Sequence, residues 1–195
     1  MSLVLILFAA AALPVFKGYE APRYQQHDAL IARLVAEFNA HPELWAGAEE
    51  HQTEGVKLEP ALVKAHMIEE TGGCDPISRA AWAIDPLQVN VPGDWNHYKA
   101  YLGIKKPRHR NEGSLEKNVR AGIKFLSRKG FGKSGQPVGN RLDAVFDGWP
   151  IALQRYNGRM VKTADGRIYC EVYSSKIEKR KSKPSIYVPV EIPMK

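Results

Sequence analysis

Two adjacent carboxylates, Glu69 and Glu70, close a mostly apolar run that begins at Glu59-Pro60 and stops at Gly72-Gly73. A carboxylic acid held at the end of a buried helix can serve as a general acid at neutral pH. A second carboxylate nearby could hold a water. Asp85 is the leading candidate for that role, with Asp75 and Asp94 behind it, although Asp85 before Pro86 also reads as a turn residue. Lys64, His66, Glu69 and Glu70 do not gather on one side of a helical wheel. The helix is therefore expected to be buried over most of its circumference. At its C-terminal end partial desolvation and the negative end of the helix dipole both favour the protonated form that a general acid needs. Periodicity alone does not separate Glu69 from Glu70, and two solvated glutamates at an ordinary helix end would look the same. His66, one turn earlier, reads as a core histidine with its hydrogen bonds satisfied.

The elements that must position these groups are mainly helical. Pro60 suits a first helical turn, and Gly72 or Gly73 can take the left-handed conformation that ends a helix. Leu30, Ile31, Leu34, Val35 and Phe38 follow helical spacing and predict a helix from about residue 25 to 41, with a shorter one over 43–50. Residues 72–107 are rich in Gly, Pro, Asp and Asn, with Trp82, Trp95, Tyr98 and Tyr101 between them. That pattern predicts turns, short strands and a binding surface, in which Trp82, Trp95 and Tyr98 can stack on sugar rings or simply pack. A helix over 114–129 is capped by Ser114 and carries the apolar stripe Leu115, Val119, Gly122, Ile123 and Leu126. Residues 130–140 read as a mobile loop, 147–157 as a helix ended by Gly158, Asp165-Gly166 as a turn and 169–178 as the last helix. Beyond it come a basic run, 179–183, and a strand-like stretch, 185–192, interrupted by Pro189.

Four blocks along this chain carry a resemblance. ALVKAHMIEETGG (61–73), AIDPLQVN (83–90), NVRAGIKFL (118–126) and ALQRYNG (152–158) resemble, in order, the motif set of the lytic transglycosylases and goose-type lysozymes. In that family a helix ends in Glu followed by Ser or Thr; a Gln-Val segment, an Asn-bearing helix and a Tyr-Asn segment follow. The resemblance spans about half the chain. It implies that Glu70, followed by Thr71, is the acid, and that Thr71, Gln88, Asn90, Asn118, Tyr156 and Asn157 line the substrate site. It also implies a mainly α (α+β) lysozyme-like fold, a helical domain with a small turn-rich or β region bordering a cleft. The substrate would be the β-1,4 bond between N-acetylmuramic acid and N-acetylglucosamine in peptidoglycan. Two departures stand out: the usual Gly-Leu-Met-Gln is Asp85-Pro86-Leu87-Gln88, and Asn90 occupies a position where goose-type lysozymes often carry Asp.

The product depends on Asp85. If it places a water, the outcome is hydrolysis; if not, the muramic 6-hydroxyl traps the oxocarbenium-like centre and gives a 1,6-anhydro sugar, as in a lytic transglycosylase. A wall-binding protein that keeps the cleft without turnover is the non-catalytic alternative. The net charge of +7 suits an anionic partner such as the cell wall, and no nucleic-acid motif accompanies it. The apolar segment 1–16 reads as a signal peptide or an uncleaved anchor, which would make it the sole membrane contact. The domain division is then 1–16, a catalytic domain 17–178 and a basic tail 179–195, in an envelope protein, periplasmic or secreted. An inhibitory immunity protein is the expected partner if the role is that of a toxin. Cys74 and Cys170 either form one disulfide or remain separate thiols, and scattered histidines without Cys pairs give no reason to expect a metal or a cofactor.

Overall fold

A computed structural model of the chain describes residues 21–131, 145–183 and 186–187. It is mainly helical: α1 (Pro22–Gln25), α2 (Asp28–Ala40), α3 (Pro42–Ala46), α4 (Pro60–Thr71), α5 (Pro76–Ile84), α6 (His97–Tyr101), α7 (Leu115–Gly130), α8 (Trp149–Asn157) and α9 (Tyr169–Lys181), with single 3₁₀ turns at Glu50–Gln52 and Pro92–Asp94. No strand forms among the described residues. The extended pairing there is confined to the isolated bridges Phe131–Phe146 and Lys162–Ile168. The second bridge flanks the expected Asp165-Gly166 turn, where the Thr163 N–H donates to Arg167 O at 2.8 Å.

Helix α4 lies at the centre. Leu62, Val63, Ala65, Met67 and Ile68 are buried on all sides, as the lack of a polar face predicts, and the helix packs against α2, α5 and α9. Lys64 is buried with them and pairs with Asp28 of α2 at 2.8 Å, so its charge is compensated within the core. The stop of α4 differs from expectation. Gly72 keeps a right-handed backbone (φ −71°), and its glycine identity answers a close approach: a Cβ there would lie 2.5 Å from Ile68 O. Its carbonyl accepts from Arg23 Nη2 at 2.6 Å and from the Tyr24 hydroxyl at 2.7 Å, fixing the helix end to α1.

The 72–107 stretch is more helical than its composition suggests. Asp75 caps α5, accepting from the Ser78 N–H at 2.9 Å, and Asn96 caps α6. The turn-forming residues cluster at the ends of these short helices and mask them in a composition reading. Trp82 packs in the main core with its indole N–H donating to Arg23 O at 2.8 Å; Tyr98 sits in a second core with Val89, Leu102, Ile104 and Phe125. Neither ring is free to stack on a sugar. Helix α9 runs to Lys181, so the boundary expected at 178 falls inside it. The first basic residues of the expected tail belong to the helix, where Arg180 ion-pairs at 2.7 Å with Glu69. Cys74 is exposed and Cys170 is buried; both are free thiols, and Cys170 Sγ donates to Met160 Sδ at 3.7 Å. The segments expected as an N-terminal apolar region (1–16), as most of a loop (132–140) and as most of a strand (188–192) lie outside the described residues. No helix among the described residues is long and apolar enough to cross a membrane.

Candidate functional site

Glu69 and Glu70 leave α4 in different directions. Glu69 is held by α9, by Arg180 and at 3.8 Å by Lys176. Glu70 opens into a cleft of about 570 Å³, its side chain 18% exposed, together with Gln88, Trp95, Tyr156 and Asn157. All four sequence blocks thus reach one cavity, the third of them through Phe125. Among the described residues, Glu70 Oε1 accepts a hydrogen bond from the Tyr173 hydroxyl of α9, and His66 Nε2 lies 3.8 Å from the same oxygen. Both of these contacts are made to Oε1.

Tyr173 was not visible among the motifs. Its only sequence signal is the four-residue spacing Tyr169, Tyr173, Ile177 on an otherwise polar helix. Burial and the neighbouring Glu70 charge push its phenol well above the ordinary tyrosine range, so it stays a donor to the carboxylate. His66 is also unlike its expectation. It is fully buried, but among the described residues neither ring nitrogen has a hydrogen-bond partner; its ring meets Tyr156 edge-on at 4.5 Å and Tyr173 at 6.0 Å.

The wall opposite Glu70 is the 85–90 loop, and Asp85 folds it. Asp85 has no exposed surface; Oδ1 accepts from the Val89 N–H at 3.1 Å and Oδ2 from the Asn90 N–H at 2.8 Å. Burial raises its pKa while those two N–H groups oppose the rise. A carboxylate so enclosed shapes a turn and has no access to a water in the cleft, so the expectation of Asp85 as a water-positioning catalytic group is corrected. Gln88 pays for the tight loop with a left-handed backbone (φ 51°), a conformation uncommon outside glycine, which aims its side chain into the cleft. Its Nε2 donates to Asp85 O at 3.0 Å, and Oε1 accepts from Arg110 at 3.5 Å.

Thr71, Asn90 and Asn118 hold this loop from behind. Thr71 is buried and its hydroxyl bridges Met67 O (3.1 Å) and Pro86 O (2.9 Å), tying the end of α4 to the loop. Asn118, 2% exposed, donates to Ile84 O and Glu112 O at 2.9 and 3.0 Å and accepts from Asn90 Nδ2. The expected substrate contacts of Thr71 and Asn118 are therefore corrected to scaffold roles, and Asn90 faces a separate groove of about 510 Å³ behind the loop. Tyr156 is the keystone between the walls: its hydroxyl donates to Leu87 O at 2.5 Å, and burial with the Glu70 charge raises its pKa well above the ordinary value. Gly122 makes that approach possible, because a Cβ there would come within 2.7 Å of Leu87 Cβ. Asn157 ends α8 and accepts from the Arg159 N–H at 3.2 Å, also at the cleft.

Trp95, of the three aromatics proposed for stacking, reaches the cleft, anchored by its indole N–H to Ile104 O at 3.1 Å. Asp94 stands exposed beside it, and Asp75 is used up in capping α5. No group of three His, Cys, Asp or Glu side chains among the described residues is arranged to hold a metal ion. No protein-family model, curated protein or solved structure matches the chain.

Proposed function

We propose that this protein cleaves the glycan strands of bacterial peptidoglycan with Glu70 as general acid and then base, within a lysozyme-like helical fold. The observation that carries the reading is the setting of Glu70: a helix-end carboxyl with one oxygen held by Tyr173, lining a cleft with Gln88, Trp95, Tyr156 and Asn157. Glu70 Oε2 gives its proton to the glycosidic oxygen, the C1–O bond breaks, and positive charge develops at C1. Trapping of C1 by the muramic 6-hydroxyl, whose proton returns to Glu70, releases a 1,6-anhydro end. The enclosure of Asp85 supports this transglycosylase outcome. A hydrolytic reading is favoured only by Asp94, the other carboxylate on the cleft.

The test is digestion of purified sacculi with mass spectrometry of the released fragments. Wild-type protein is expected to release anhydro-ended muropeptides and Glu70→Gln none. Reducing ends that disappear in Asp94→Asn would establish the hydrolase. Release unaffected by Glu70→Gln would reject the assignment, and binding of sacculi without release would leave a wall-binding protein.

A further inference from the structure

The cleft holds more positive charge than acid catalysis at Glu70 uses. Lys99, Lys129, Arg155 and Arg159 line it, against Glu70 and the exposed Asp94. Among the described residues only Arg155 of these four has a carboxylate at ion-pairing distance, Asp147 at 2.7 Å. Lys99 is 3% exposed and donates to Val89 O at 2.8 Å; the Asp85 carboxylate that faces it from behind is committed to main-chain N–H groups. Lys129 packs its ammonium on aromatic faces, and Arg159 lies over the Tyr169 ring at 5.4 Å. The Lys99 and Lys129 ammonium groups share one ring, each 5.1 Å from the centre of Phe125. Burial lowers the pKa of both, and the Arg155 and Lys99 charges lower that of Lys129 further. Cations gathered in a half-buried cleft raise one another's cost, and an anion entering between them removes it.

We infer that the corner of the cleft formed by Lys99, Lys129, Arg155 and Arg159 is an anion subsite that takes a carboxylate carried by the substrate. The inference rests on the peptidoglycan reading for its source, which is either the lactyl carboxylate of muramic acid or a free carboxylate of the peptide stem. The subsite makes the cleft selective for the acidic wall polymer over neutral chitin-like glycans of the same backbone.

Binding is measured by calorimetry on the full chain carrying Glu70→Gln, which prevents turnover. Three oligosaccharides of equal length serve as probes: an all-N-acetylglucosamine chain, an alternating chain with free lactyl groups, and an alternating chain with peptide stems. One charged probe is expected to bind at least about tenfold tighter than the neutral one, as a charge-assisted contact requires. Which of the two it is identifies the source. Adding Lys129→Met, which keeps the stem against Phe125, or Arg159→Gln is expected to erase most of that preference. Equal binding of neutral and charged probes, a preference untouched by both substitutions, or no binding of any probe would overturn the inference. A charged preference retained by a protein that releases nothing from sacculi would sink the catalytic reading and leave the subsite standing.

Discussion

Glu70 is set apart from Glu69 by what reaches each of them. Glu69 meets Arg180 and Lys176 and is spent on holding α9, whereas Glu70 receives the Tyr173 phenol and lines the cleft. Tyr173→Phe removes that phenol. It is expected to lower kcat by about 10- to 100-fold with little change in KM, the loss of one hydrogen bond to a charged group. The same substitution has a signature in stability. The folded-state pKa of Tyr173 lies above its unfolded value, so the unfolded chain gives up this proton first as pH rises. The contribution of Tyr173 is therefore fully present below about pH 10 and falls above it by about 1.4 kcal/mol per pH unit. Urea unfolding at successive alkaline pH values should show a shallower decline in Tyr173→Phe; an unchanged slope would mean the phenol titrates normally.

Among the elements, α4, α7 and α8 converge on a loop that is itself only a few residues long. Gly122 on α7 lets Leu87 approach, and Leu87 O in turn receives Tyr156 from α8. Gly122→Val is expected to cost about 1–3 kcal/mol through overpacking, read as a lowered urea midpoint. It should also weaken cleavage beyond the stability loss, because the loop carrying Gln88 moves. An active variant of wild-type stability would show that the contact is slack. The long helices were legible in the chain because their apolar periodicity is strong: Ser114 caps α7 with its side chain, and Gly158 ends α8 in the left-handed conformation. Helix α5 was hidden because nine residues between Asp75-Pro76 and Asp85-Pro86 offer too few turns for a period to show. The motif blocks singled out Glu70, Gln88, Tyr156 and Asn157, which the fold brings to one cleft. They misassigned Thr71 and Asn118, since a motif marks that a residue is needed near a site without saying whether it touches substrate or holds the wall. Tyr173, Lys99, Lys129 and Arg159 lie outside every block, and Arg155, inside the fourth, stood there without a role; the packing of α6, α7, α8 and α9 is what gathers them around the cleft.

At the scale of the whole molecule, the chain carries a net charge of +7, and basic side chains line both grooves beside the 85–90 loop. Lys105, Lys106, Lys117 and Lys124 line the rear groove, and the cationic corner lies in the front cleft. Association with sacculi is expected to weaken steeply as salt rises from about 0.05 to 0.5 M, where screening shortens the reach of these charges. Co-sedimentation with purified sacculi measures it, and salt-independent association would assign the contact to sugar stacking instead. The clasp of α9 on α4 has a consequence in time as well as in space. Glu70 and Tyr173 are 103 residues apart in the chain. A ribosome that has just added Glu70 must translate for about five seconds or longer before Tyr173 exists, at about 5–20 residues per second. A nascent chain stalled before residue 169 therefore carries the Glu70 carboxyl without the phenol that donates to it, and the contact forms only when α9 has emerged and docked.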